Sequence, residues 1–93
     1  MPEITVIIPV RNEKKRIRKT VERLLKQDFT DLEVLLVENG STDGTKEEII
    51  ELDREIEKVR SISAGDGAQI GLVRQRGLLE AKGNYICFVD EDD

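Results

Sequence analysis

Apolar residues come in short runs separated by amphipathic stretches, and the period of the pattern changes from one run to the next. Ile4-Thr5-Val6-Ile7-Ile8 is β-branched throughout and closed by Pro9. Its apolar residues occupy both parities, as in a strand covered on both faces of a parallel sheet. Pro9-Val10-Arg11-Asn12-Glu13 reads as a turn, with Asn12 suited to N-cap the next helix. From about Glu13 to Gln27, Ile17, Val21, Leu24 and Leu25 recur at i, i+4, i+7 and i+8, one helical stripe opposite a Lys/Arg face. After the polar break Asp28-Phe29-Thr30-Asp31, Leu32 to Val37 is a second buried strand interrupted only by Glu33. Glu38 to Thr45 is a run of turn and capping residues: Thr45 with Glu48 fits a capping box, and Asp43 is a rival N-cap.

The next helix runs to about Lys58 on Ile49, Leu52 and Ile56, and Val59 to Ser63 suits an edge strand. Ala64-Gly65-Asp66-Gly67 reads as a flexible loop. A third helix is predicted from about Ala68 to Ala81, where Ile70, Val73 and Ala81 share a face with Gly77, whose missing side chain permits close packing on a sheet. Gly83 is expected to supply a left-handed turn after it. Tyr85-Ile86-Cys87-Phe88-Val89 then reads as a buried strand running into Asp90-Glu91-Asp92-Asp93.

The order β-α-β-α-β-α-β, with helices long enough to be right-handed crossovers, predicts a Rossmann-like three-layer α/β/α fold. The expected sheet has four parallel strands in the order 3-2-1-4, with a crevice between the first and fourth. Residues 1–93 are read as a single domain.

Composition narrows the function. Hydrophobic and charged residues each make up 38% of the chain, and the formal charge is −5. An acidic chain lacks the basic face that nucleic acid requires. No apolar stretch approaches a membrane span and no signal peptide is visible at the start, so a cytoplasmic location is expected. Histidine is absent, which removes His-based triads and His metal sites. Cys87 is the single cysteine and is expected to be a small core residue.

Ligands of such sheets bind at the carboxyl ends of the strands. There the sequence places Arg11-Asn12-Glu13, then Glu38 to Asp43, then Asp90 to Asp93. Four adjacent acids repel one another, and are best tolerated at a solvated end or around a cation. A frayed acidic tail is the plain alternative. Asp90-x-Asp92 sets two oxygen ligands on one side of an extended segment, an arrangement that suits Mg²⁺ or Mn²⁺. Asn39 carries a donor and an acceptor, enough to read a base edge, and Gly40 lets the backbone approach a flat ligand. Pro9 to Glu13 is neither a dinucleotide fingerprint nor a P-loop, which argues against a dinucleotide cofactor or direct ATP chemistry.

Together Val6-Ile7-Ile8-Pro9-Val10-x-Asn12-Glu13, Glu38 to Thr45, Arg74-x-x-Gly77 and Gly83-Asn84-Tyr85-Ile86-x-Phe88-Val89-Asp90-x-Asp92-Asp93 resemble the family 2 glycosyltransferases of the GT-A fold. The resemblance spans essentially the whole chain. It implies a nucleotide-diphosphate-sugar donor, with a UDP-sugar as the default, a divalent cation (Mn²⁺ or Mg²⁺) on the Asp-x-Asp motif, and transfer with inversion. By that resemblance Pro9, Val10, Arg11 and Glu13 line the nucleotide pocket, and Asn39 faces the base. Asp43 sits at the adjoining helix start, and Arg74 lies near the phosphates or the base. Asp90 and Asp92 handle ribose, diphosphate and metal. Caps or solvated helix positions are the bland reading of Asn12, Asp43, Glu13 and Arg74.

The chain departs from the family where Glu38-Asn39 replaces the usual Asp-Asp, where Arg11 replaces a common Tyr, and where Arg74-Gln75 replaces Arg-Asn. Family catalytic domains continue past this metal motif into an acceptor site and a general base. The expectation is therefore a truncated GT-A domain with no catalytic residue of its own, inactive alone. Its bare fourth strand is expected to invite a homodimer through the sheet edge. A non-catalytic nucleotide- or metal-binding module and an excised scaffold without ligand remain open. A nucleotidyltransferase would want a Gly- and Arg/Lys-rich signature after the first strand, of which only Arg11 is present.

Overall fold

A computed structural model describes residues 2–27, 31–65 and 67–89. The elements run β1 (Ile4–Val10), α1 (Ile17–Leu25), β2 (Leu32–Glu38), α2 (Thr45–Glu55), β3 (Val59–Ser63), α3 (Ile70–Glu80) and β4 (Tyr85–Phe88). The strands form one parallel sheet in the order β3-β2-β1-β4, as expected. The two-parity apolar pattern of β1 and β2 has a direct cause. Even-numbered Val6, Ile8, Val10, Val34 and Leu36 pack with Ile17 and Val21 of α1 and Ile49 and Leu52 of α2. Odd-numbered Ile7, Leu35 and Val37 pack on the other face with Val73 of α3. Fully burying aliphatic side chains of this size is worth about 1.5–3 kcal/mol each, so these two central strands anchor the fold.

Glu33 does not break the second strand. It is buried at the amino end of β2, where it accepts hydrogen bonds from Thr5 Oγ1 at 2.6 Å and Arg60 Nε at 2.9 Å. On the opposite side of the sheet, Arg18 of α1 reaches Glu48 and Glu55 of α2 at 2.7 and 3.0 Å.

Several expectations are corrected. β1 continues through Pro9 to Val10 instead of closing at Pro9. The carbonyls of Glu3 and Ile7 accept from Tyr85 and Val89, so odd positions of β1 face β4. Pro9 therefore turns its missing donor toward a stretch beyond Phe88, the last β4 residue in register, where a proline is tolerated. α1 begins at Ile17, after a turn in which the Glu13 carbonyl accepts from Arg16 and Ile17 at 3.0 and 2.9 Å. α2 stops at Glu55 because Ile56 is already extended (φ −121°, ψ 118°). Ile70 does not join the buried face of α3; it is 50% exposed.

Gly83 is not left-handed. Its role is close approach: a Cβ there would stand 2.6 Å from the Thr5 amide nitrogen, and its own N–H donates to Thr5 Oγ1 at 2.8 Å. β4 is exposed instead of buried, with Tyr85, Ile86 and Phe88 at 65%, 37% and 41%, and Cys87 is exposed too. The strand is at the sheet edge beyond β1, while the main packing of α3 is on β1 and β2. On the α1 side an apolar recess of about 220 Å³ opens between Leu24, Cys87 and Val89.

Candidate functional site

At the carboxyl edge of the sheet the exit of β1 is held by the loop after β2. Asn12 is left-handed (φ 54°), a conformation asparagine tolerates better than most residues. Its N–H donates to Ser41 Oγ at 2.9 Å, and its Oδ1 accepts the Thr42 N–H at 2.8 Å. The Glu13 N–H donates to Thr45 Oγ1 at 2.8 Å, and the Lys14 N–H to Asp43 Oδ2 at 3.4 Å. Asn12 is therefore not the N-cap of α1. It knits two strand exits together, and the amides after it are satisfied by side chains from α2's entrance.

Asp43 is not the N-cap of α2, a position held by left-handed Gly44 (φ 97°); from one residue earlier its Oδ1 accepts the Thr45 N–H at 3.0 Å and also the Thr45 hydroxyl. Those bonds, the hydroxyl's foremost, hold its carboxyl below the usual range. The Thr45–Glu48 capping box does not form, because Thr45 Oγ1 serves Glu13 and Asp43 while Glu48 pairs with Arg18. Glu38, at the end of β2, folds back onto the Gly40 N–H at 3.1 Å and the Ser41 N–H. Burial alone would push this carboxyl up. The N–H and hydroxyl of Ser41, with the Gly40 N–H, outweigh burial and hold it down. Gly40 is left-handed at φ 77°, which the tight return of this loop requires.

The candidate residues separate into two groups along this edge. Glu13 and Asp43 belong to the α1/α2 side. Glu13 is only 7% exposed, and Arg16 stands 2.6 Å from its Oε1, close but not aligned for a directed hydrogen bond. An open recess of about 390 Å³ beside it is bordered by Asn12, Glu13, Lys14, Lys15, Arg16 and Asp43. Pro9, Asn39 and Arg74 share the α3 side. Pro9 follows the parity of Ile7, and the Arg74 guanidinium lies 5.9 Å from the centre of the Phe88 ring. Arg11 is exposed beyond β1. The Val10 side chain is in the core, so Val10 can border a ligand only through its backbone; its carbonyl accepts the Asn39 N–H at 3.0 Å.

The Asn39 side chain is paired at two points with one residue. Nδ2 donates to the Ala68 carbonyl at 3.0 Å, and Oδ1 accepts the Ala68 N–H at 2.8 Å. Among the described residues these bonds leave one N–H and one lone pair of the amide. Ala68 escaped the sequence reading because a backbone partner leaves no side-chain signal. Phe88 left one: an aromatic two residues before Asp90, on the strand parity that faces α3.

Asp90 and Asp92 lie outside the described residues. The Val89 N–H donates to the Ile7 carbonyl at 3.0 Å, which holds the last described residue against β1 at this edge. Among the described residues no cluster of three or more potential metal ligands occurs.

The sequence profile of glycosyl transferase family 2 matches residues 5–93. Glycosyltransferase GlyA of Streptococcus pneumoniae is 36% identical over 98% of this chain and 13% of its own length. The uncharacterized glycosyltransferase EpsJ of Bacillus subtilis is 31% identical over 100% of this chain and 27% of its own length. Among solved structures, S. aureus TarS in complex with UDP matches with a TM-score of 0.83 at 30% identity, over 97% of this chain and 27% of TarS. A Pyrobaculum calidifontis mannosyltransferase in complex with GDP-Man and Mn²⁺ matches at 0.79 with 26% identity, over 96% of this chain and 27% of that one. The chain therefore spans well under half of each of these relatives.

Proposed function

The chain belongs to glycosyl transferase family 2, and from that premise we propose that residues 1–93 are one domain, the donor-binding half of a GT-A glycosyltransferase. It binds a nucleotide-diphosphate-sugar for transfer with inversion and works in the cytoplasm. The observation that carries this reading is the meeting of strand exits at one edge. Asn39 is bonded to Val10, Asn12 to Ser41 and Thr42, and Val89 at the end of β4 to Ile7. Two segments far apart in sequence thus bring polar groups to one edge, next to the end of β4, where open α/β sheets hold their ligands.

Each residue has work suited to its place. Pro9, the Val10 backbone and Arg11 border the nucleotide. Glu13 and Asp43 hold the turn that shapes this border, and Arg74 brings positive charge to the phosphate side. Asp90 and Asp92 offer the hard oxygen ligands that Mn²⁺ or Mg²⁺ prefers. A cation held there would neutralise the diphosphate and stabilise it as a leaving group. The relatives solved with UDP and with GDP-Man leave the base open for this chain, with a UDP-sugar the default.

Titration with UDP, GDP, UDP-GlcNAc and GDP-Man, with and without Mn²⁺, tests the reading. The expected result is Mn²⁺-dependent binding that moves the amide resonances of Asn39, Arg74 and Asp92. Absence of binding by every nucleotide in Mn²⁺ overturns it. The polypeptide alone is expected to transfer no sugar to any acceptor, and robust transfer would refute that. The exposed apolar strand β4 supports a homodimer paired along the sheet edge. Sedimentation that stays monomeric across micromolar concentrations counts against it.

A further inference from the structure

Beside β1, β2 meets α3 along its whole length. Glu33, Leu35, Val37 and Asn39 are alternate residues of β2 and its exit, and all lie on the face that α3 covers. In the middle, Leu35 and Val37 pack with Val73. Gly77 lets the helix backbone close down, since a Cβ there would stand 2.7 Å from Ile7 Cγ2 and 3.3 Å from Val37 Cγ2. At the carboxyl edge Asn39 holds the residue that leads into the helix, through the bonds of 3.0 and 2.8 Å to the Ala68 carbonyl and N–H. This pair of hydrogen bonds fixes the amide in one orientation, because exchanging its O and N would set donor against donor and acceptor against acceptor. Ala68 immediately precedes Gln69, the N-cap position of α3, which makes no side-chain capping bond of its own.

We propose that Asn39 is a positioning residue: it clasps the entrance of α3 and thereby sets Arg74 against Phe88 at the exit of β4. Asparagine is the side chain this task needs. An aspartate could still accept the Ala68 N–H, but it would press a second carboxylate oxygen against the Ala68 carbonyl. That accounts for an amide here, where the resemblance leads one to expect an acid. The functional consequence rests on the donor-binding reading: a change at Asn39 acts through α3 on every nucleotide alike, not on one base.

The test combines hydrogen exchange by NMR with nucleotide titration of the 93-residue chain. Without ligand, the Ala68 amide and one Asn39 Nδ2 proton are expected to be protected. In Asn39→Asp the Ala68 amide exchanges roughly tenfold faster or more, and the ring-current shift of Arg74 by Phe88 diminishes. The amides of Val34 to Leu36 stay protected, which shows that the fold survives. In Mn²⁺ the variant loses affinity for UDP and GDP by one common factor, on the order of tenfold.

The clasp is overturned if the wild-type Asn39 side-chain protons exchange as in an unstructured peptide. That measurement decides the matter even if the variant does not fold. It is equally overturned if Asn39→Asp alters the UDP-to-GDP ratio while Ala68 remains protected, or frees Ala68 without moving Arg74 or either affinity. If the wild-type chain binds neither nucleotide, the donor-binding reading fails by itself. The clasp is then judged by the Ala68 exchange and the Arg74 shift alone.

Discussion

Three glycines separate what a missing side chain does from what a free backbone does. A Cβ at Gly83 would stand 2.6 Å from the Thr5 nitrogen and 2.8 Å from the Ile4 carbonyl carbon, both backbone atoms in the central strand. A Cβ at Gly77 would meet Ile7 Cγ2 at 2.7 Å, a side-chain atom with a little room to yield, while one at Gly71 meets nothing within 4 Å. Gly77→Ala should therefore cost about 1–3 kcal/mol, in the range of overpacked cores, and Gly83→Ala more, because β1 cannot move aside. Gly71→Ala, in a helix with open space around it, should stabilise by about 0.5–1 kcal/mol. Urea midpoints of the three variants check the order, and a destabilised Gly71→Ala or a neutral Gly83→Ala would contradict it. The close packing at Gly77 was legible because it falls in an amphipathic repeat. Gly83 was not: Lys82-Gly83-Asn84 looks like a helix stop, and what decides its role is a strand nearly the whole chain away in sequence. Asn12 misled for the same reason, since its partners Ser41 and Thr42 belong to another loop.

At the scale of elements, alternation and helical stripes specified the order β-α-β-α-β-α-β, and the Rossmann-like class that this order implies carried the sheet order. They could not say what Glu33 was for, because its partners come from three other segments. Besides Thr5 Oγ1, it accepts from Arg60 Nε at 2.9 Å and from the Lys82 N–H at 2.9 Å, while Arg60 also reaches the Glu80 carbonyl at 2.6 Å. The buried carboxylate thus ties β1, β3 and the connection from α3 to β4 together at the amino end of the sheet, opposite Asn39. Glu33→Ala leaves Arg60 with solvent as a partial substitute, so its cost should fall near the lower end of broken buried pairs, about 2–3 kcal/mol. Arg60→Ala should cost less. The double variant should cost less than the sum of the two, and strict additivity in urea denaturation would show that the pair does not act as a unit. β4 shows the opposite limit of pattern reading. Five β-favouring residues announce a strand correctly, yet hydrophobicity cannot report whether anything covers it, and here its side chains are exposed.

Over the whole molecule, the strand exits predicted to converge do so for β1 and β2, whose loops are hydrogen-bonded to each other, while Asp90 and Asp92 fall outside the described residues. What was not legible is that Glu38 and Asp43 at this edge, and Glu33 at the sheet's far end, serve the structure. Glu38 and Asp43 hold loop and helix amides, and Glu33 holds β1 to its neighbours. Their electrostatics act in one direction. In Glu33, burial would raise the carboxyl, but Arg60, the Thr5 hydroxyl and the Lys82 N–H together hold it below its usual value, and Glu38 and Asp43 are likewise lowered. A carboxyl lowered in the folded state binds fewer protons there than in the unfolded chain. Its stabilisation is therefore complete above the unfolded value and is lost as pH falls toward the folded one. Unfolded carboxyls titrate near about 4. Stability should accordingly be level from about pH 7 to about pH 5 and decline below about 4.5. Glu38→Gln removes one of the lowered groups, so it should start less stable at neutral pH yet lose less on acidification. Urea midpoints for both proteins at about pH 7, 5, 4 and 3 test this. Stability that rises toward acid, or an equal decline in both proteins, would mean that these carboxylates do not hold the loops as charged groups.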